Sequence, residues 1–248
     1  MEQLRFSHVA NVPDYMKLIV KTVQNKFALS GGLANKKILD LPAGNGWVSD
    51  SLAKLGATVV PADINEERPN YVQANMEHDL PFVNEEFDCV ICAEGIEHVL
   101  RPEALFSELA RVLKKGGLLI ITTPNVQNVY SRFQYSCTGF LYQFSPFNLL
   151  IPKQGELRDR GHISPVFYTQ LRYFSDLHGL VTLQPDGDKY KRSIVFPFFI
   201  PFLLLGYWWA KKEARSNRGD PKSREIITHL FSIKVLLSRS IIFKAIKY

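Results

Sequence analysis

Cysteine is scarce here: 248 residues hold three, at positions 89, 92 and 137. Three thiols supply neither a disulfide framework nor a tetrahedral metal site, so the fold must rest on an apolar core. Cys89 and Cys92 do form a CxxC, but inside Phe87 to Cys92, an apolar run that reads as a strand and would turn the two side chains to opposite faces. A reducing, cytoplasmic setting is expected from this cysteine usage. The opening MEQLRFSHVANVPDYMK has no apolar region of the kind a secretory leader carries. A long membrane-spanning run is also lacking. The most apolar uncharged stretch, 194–210, is 17 residues long and contains Pro197 and Pro201, whereas a spanning helix needs about 20 apolar residues. Positive charge is missing from most of the chain: residues 1–188 carry 17 Lys and Arg against 21 Asp and Glu, and residues 189–248 carry 13 against 3. The net charge of +6 therefore belongs to the tail, and a uniformly basic nucleic-acid-binding surface is excluded.

Lys37 to Asp63, KILDLPAGNGWVSDSLAKLGATVVPAD, organises the remainder. A short apolar run ends in Asp40, and a turn over Pro42 to Gly46 follows it. Trp47 to Leu55 has apolar residues at 48, 52 and 55, one face of a helix. A second apolar run then ends in Asp63. Strand, glycine turn, helix, strand and carboxylate make half of a nucleotide-binding α/β unit. Glycine lets the backbone approach a ligand, and a carboxylate at the tip of the second strand can accept from ribose hydroxyls.

On either side, periodicity predicts a helix over 13–29, closed by Gly31-Gly32 and covering one edge of the sheet. It also predicts short strands at 71–74 and 87–92, and a helix from Arg101-Pro102 to Leu113 closed by Lys114, Lys115 and Gly116. A strand at 118–122, a helix opening at Ser164-Pro165 and running to Leu177, and a strand at 180–184 complete the alternation. Between them, 127–152 is dense in Tyr and Phe without a clear period and reads as a lid over the sheet's carboxyl edge. Residues 213–225 read as a polar loop, 226–237 as amphipathic and 240–246 as a strand.

The ordered set resembles the class I S-adenosylmethionine (SAM)-dependent methyltransferases of the small ubiquinone-biosynthesis-like type. LDLPAGNG, with Pro42 where that family usually has its first glycine, Asp63, Asn75-Met76 before HDLPF, FDCVICAEGIEHV and LKKGGLLIITTPN carry the likeness over roughly 36–183. It implies a Rossmann-like, seven-stranded, mostly parallel α/β sheet with helices on both faces. An aromatic lid insertion and an apolar, membrane-seeking insertion before the last strand would be added. It further implies SAM contacts from Asp40, Ala43, Gly44, Gly46, Asp63, Ile64, Asn75, Met76, Ala93 and Glu94, with Asp63 on the ribose and Asn75 at the adenine. An NAD-dependent dehydrogenase would want GxGxxG, but the third position after Gly46 is Ser49.

Because a sulfonium is an activated methyl donor, the protein mainly aligns the acceptor and excludes water, and it needs a base only for an acceptor hydroxyl. His98 is the candidate base at the sheet's edge and His162, in RGHIS, a second; each can equally serve a local structural bond. ExxEH also resembles a metal motif of some O-methyltransferases, implying Mg2+ on Glu94, Glu97 and His98 with His162 as a further ligand. Arg158 and Arg160 are candidates for an anionic acceptor.

The expected units are 1–35 as a helical cover, 36–183 as the SAM-binding core with its lid at 127–163, 190–238 as an apolar and basic insertion, and 239–248 as the last strand. Because the final strand must return to the sheet, 194–210 cannot cross a membrane once. It must lie on the surface, re-enter or pack on the domain. The function expected is O-methylation of a lipid-linked, quinone-type or glycan acceptor by a cytoplasmic protein peripheral to the inner face of a membrane. The alternatives are a non-catalytic SAM-binding adaptor at the membrane and, with less support from the charge, an RNA methyltransferase.

Overall fold

Eight strands form one sheet in this computed structural model, which describes residues 13–65, 68–148, 161–190, 196–216 and 221–248. They are β1 (Lys37–Asp40), β2 (Thr58–Asp63), β3 (Val72–Gln73), β4 (Phe87–Ala93), β5 (Leu113–Pro124), β6 (Leu180–Thr182), β7 (Asp186–Gly187) and β8 (Ser240–Lys247). The order is β3-β2-β1-β4-β5-β8-β6, with β7 also on β8. The pairs from β3 to β5 are parallel, and β8 runs antiparallel to β5, β6 and β7. The expected count of seven is corrected to eight by the two-residue β7. Asp186 receives Lys234 and, at 2.5 Å, Lys244 of β8, which draws this short segment alongside.

Both sheet faces are covered, because the parallel strands are apolar on both sides. On one face α1 (Asp14–Phe27) and α2 (Trp47–Lys54) bury Ile19, Val23 and Leu52 against Ile38, Ile91 and Ile120. On the other, α3 (Pro102–Val112) and α5 (Tyr168–Leu177) bury Leu105, Phe106 and Leu171 against Leu39, Val90 and Phe243. So α1 covers a face rather than the expected edge. Cys89 and Cys92 fall in the two different cores, as strand alternation requires, and both are free thiols pushed up by burial.

Several boundaries differ from expectation. Lys114 to Gly116 do not cap α3. They begin β5, where Leu113 pairs with Phe87 and the Lys114 ammonium reaches Asp88 at 2.9 Å. Ser164 does not open a helix: its hydroxyl donates to the Val99 carbonyl at 2.7 Å, and α5 starts at Tyr168. Within the expected lid, Val129–Thr138 is a helix, α4, whose cap is the Asn128 side chain accepting from the Ser131 N–H. Within the stretch expected as an apolar insertion, the described residues form α6 (Phe196–Ser216), a helix that includes Pro201 and extends into the expected loop. Two further helices, α7 (Pro221–Leu230) and α8 (Ile233–Leu237), lead back to β8. Arg158, Arg160 and the basic pair at 191–192 lie outside the described residues.

Candidate active site

The parallel strands end together, at Asp40, Asp63, Ala93 and Pro124, and antiparallel β8 enters the same edge at Ser240. Everything with candidate chemistry hangs from that edge. The turn after β1 starts with a cis Leu41–Pro42 bond, and Gly44 and Gly46 have φ of 51° and 76°, backbone that L side chains rarely adopt. A β-carbon on Gly44 would meet nothing within 4 Å, so its side faces open space where a ligand could approach. Gly46 is different: a β-carbon there would lie 2.5 Å from the Tyr71 hydroxyl and 2.8 Å from Arg68.

Those two residues strap the turn. Tyr71 donates to the Gly44 carbonyl at 3.0 Å, while Arg68 donates to the Asn45 carbonyl at 2.5 Å and pairs with Asp50 at 2.9 Å. No periodicity marks either residue, and they act only because the β2–β3 connection folds back over the turn. Ala43 is tied by its N–H to the Ala62 carbonyl.

Asp63 holds the same turn from below. One carboxylate oxygen accepts from the Gly44 N–H at 2.9 Å, and the other accepts from Asn65 at 3.1 and 3.3 Å. The oxygen that accepts from Gly44 retains a second lone pair for a hydroxyl. Ile64, half-buried, follows it. The Asn75 side-chain oxygen accepts from the Glu77 N–H at 3.0 Å, and Met76 packs against the core beside it.

Asp40 is buried and accepts from the Ser49 hydroxyl at 2.6 Å; burial pushes its carboxyl up to about 7 against the pull of that bond. Ala93 ends β4, and Glu94 takes a left-handed φ of 50°, rare for a side-chain-bearing residue. Its N–H donates to the Thr122 carbonyl and hydroxyl, both at 3.0 Å, and one of its carboxylate oxygens is buried without a hydrogen-bond partner. Burial raises its carboxyl to about 7, partly offset by Arg239 and Thr122. Tyr15 of α1, which the sequence did not single out, has its phenol raised by burial and then by Glu94, with Glu97 and Asp40 also in its field.

The 161–164 loop is stitched onto the one after β4: the N–H groups of Ile163 and Ser164 both donate to the Glu97 carbonyl at 3.0 Å. That brings His162 edge-to-face against His98, ring centres 4.8 Å apart. His162 Nδ1 meets the Gln143 carbonyl at 3.0 Å, which assigns the proton to Nδ1 and leaves Nε2 as the acceptor. The metal candidates regroup accordingly. Glu97, His98 and His162 offer ligand atoms within 4.8 Å of one another, while Glu94 belongs to the Thr122 and Arg239 side. Two imidazoles and one carboxylate do not fit Mg2+, which prefers oxygen ligands, so no step is derived through that ion. The SAM candidates fit better: the open Gly44 side gives room for close approach, and the Asp63 carboxylate, which accepts from the Gly44 N–H, stands beside it with capacity for a hydroxyl.

Residues 39–121 match the family model of a methyltransferase domain. The chain is 32% identical over 163 residues to a ubiquinone/menaquinone biosynthesis C-methyltransferase of Haemophilus ducreyi, covering 57% of this chain and 60% of that protein. It is 34% identical over 110 residues to a ubiquinone biosynthesis O-methyltransferase of Klebsiella pneumoniae, covering 39% and 46% respectively. The chain thus spans about half the length of the curated relatives it matches. A SAM-dependent methyltransferase from Archaeoglobus fulgidus shares the fold over 94% of both chains, with a TM-score of 0.55 and 14% identity. Motifs, sheet order and these likenesses agree: residues 39–121 match a methyltransferase domain, and the chain is similar to the class I SAM-dependent methyltransferases of the ubiquinone-biosynthesis type, a family whose cofactor is SAM.

Proposed function

We propose that this chain transfers the methyl group of SAM to an oxygen of an apolar, lipid-linked, quinone-type or glycan acceptor while bound peripherally to the inner, cytoplasmic face of a membrane. The observation that carries the oxygen acceptor is the His98–His162 pair at the edge that also bears Gly44. The bound cofactor supplies a methyl already activated on a sulfonium. Ala43, Gly44 and Gly46 line its methionine end, Asp63 and Ile64 meet its ribose, and Asn75 and Met76 flank its adenine. Asp40, Ala93 and Glu94 close the cationic side. His162 Nε2, with its proton assigned to Nδ1, takes the acceptor hydroxyl's proton, and His98 orients it. A carbon acceptor, as the name of the Haemophilus relative suggests, is the second reading.

Membrane contact is supported by α6, in which no residue is buried. Phe198, Phe202, Trp208 and Trp209 are each at least 60% exposed, an apolar face with Lys211 and Lys212 at its end. Among the described residues no helix is long and apolar enough to cross a membrane. The proposed functional units are 1–35, 36–183, 190–238 and 239–248. Incubation with SAM and a membrane lipid extract tests the proposal: a lipid gaining one methyl ether carries it. A methylated ring carbon selects the second reading, and label found only in RNA overturns both.

A further inference from the structure

Beyond the active-site edge, the C-terminal half of α6 lies against α7, and the two helices enclose a cavity of about 340 Å3. Three cations line it: Lys211 and Arg215, one helical turn apart on α6, and Arg224 on α7. Ala214 and Ile227 give it an apolar floor, and the hydroxyl-bearing side chains of Tyr207 and Thr228 complete the wall. The Lys211 ammonium stands 4.4 Å from the centre of the Tyr207 ring, which holds it in place.

Nearby basic side chains are paired with acids: Arg172 with Glu225 at 2.8 Å, Lys222 with Asp176 at 3.4 Å, and Lys234 with Asp186. Lys211, Arg215 and Arg224 are not. Among the described residues no acid lines the cavity and none of the three has an ion pair. Like charges gathered round one cavity repel, and an anion with several acceptor oxygens offsets that repulsion. Guanidinium forks match phosphate oxygens in geometry, and an apolar floor strengthens each charged contact by lowering the local dielectric.

The geometry points to a phosphate-binding site formed by Lys211, Arg215 and Arg224. Its ligand is a phosphate ester or free phosphate, drawn from solution or from an anionic lipid headgroup lying under the apolar face of α6. Only the lipid source rests on the membrane reading above. The phosphate chemistry does not depend on methyl transfer.

The test uses the full chain in two arms, calorimetric titration with inorganic phosphate and sedimentation with phosphatidylglycerol-containing vesicles against pure phosphatidylcholine. Arg215→Gln and Arg224→Gln each remove a cavity cation, and Lys212→Gln removes the same charge outside it. Glutamine is a good helix former, and circular dichroism checks that helix content persists. In whichever arm binds, each cavity substitution should weaken binding at least about ten-fold, the loss of one charge-assisted hydrogen bond set. Lys212→Gln should leave phosphate binding unchanged and weaken vesicle binding by about five-fold or less. That ranking with phosphate alone assigns a soluble ligand, and with vesicles it assigns the lipid. Absence of binding in both arms, or equal weakening by all three substitutions, overturns the site.

Discussion

Gly95 backs directly onto the ring of Pro42: a β-carbon at position 95 would stand 2.5 Å from Pro42 Cδ and 3.2 Å from the Cys92 sulfur. The glycine turn after β1 and the loop after β4 are therefore keyed to each other. The residues expected at the methionine end of SAM and those expected at the acceptor thus share a packing contact.

Gly95→Ala should consequently disturb both loops. A proline ring atom cannot swing away as a flexible side-chain tip can, so overpacking should cost about 1–3 kcal/mol. Thermal unfolding should show a lower Tm and SAM titration a weaker affinity. Wild-type values in both would mean that the two loops are independent.

Asp63→Ala removes the acceptor for the Gly44 N–H and for Asn65 together. Hydrogen bonds to a charged group are worth about 1.5–3 kcal/mol, so SAM affinity should fall at least about ten-fold. Pro42→Gly leaves those bonds in place and should weaken binding less. Calorimetry giving the reverse order would remove Asp63 from its assigned role.

Asp40 sets a pH dependence. Its carboxyl is raised from 3.8 to about 7 by burial. Between those values the folded state holds a proton that the unfolded chain has released, so this group's contribution is full below about pH 4 and is lost as pH rises to about 7. The slope is up to about 1.4 kcal/mol per pH unit. Asp40→Asn can still accept from Ser49 and cannot ionise, so chemical denaturation should find it gaining on the wild type from pH 5 to pH 8. A constant difference between the two proteins would show that Asp40 ionises normally.

His162→Ala and His98→Ala should lower kcat by about 10²–10⁴-fold if a hydroxyl is the acceptor, with SAM affinity unchanged. Glu94→Gln should instead weaken SAM binding. Chelation followed by Mg2+ should restore nothing, given the nitrogen-rich donor set. Rescue by Mg2+ alone would contradict this.

Much of the fold was legible because the parallel strands are short apolar runs closed by Gly, Asp or Pro, and their helices bury one face each. Asp40 and Asp63 were picked out by position at the ends of apolar runs, and Glu94 by the likeness of FDCVICAEGIEHV to a family motif. The boundaries that misled did so where a tertiary contact outcompeted a local signal. Lys114 found Asp88 across the sheet rather than the end of α3, and the Ser164 hydroxyl found Val99 rather than a helix N-terminus. The helix α4, in the stretch expected as a lid, was not legible because its aromatic residues lie both in contacts and in the open, blurring the period.

By itself, then, the sequence determined the α/β order, the glycine turn and the carboxylates at the strand ends, since these follow from local periodicity and backbone permission. Tertiary structure alone decided which side chains meet. Arg68 and Tyr71 close on the turn, His162 reaches His98 across 64 residues, and Lys211, Arg215 and Arg224 surround one cavity. Such meetings depend on how loops and helices return to the sheet. That return is set by the summed packing of distant residues, which no local pattern encodes.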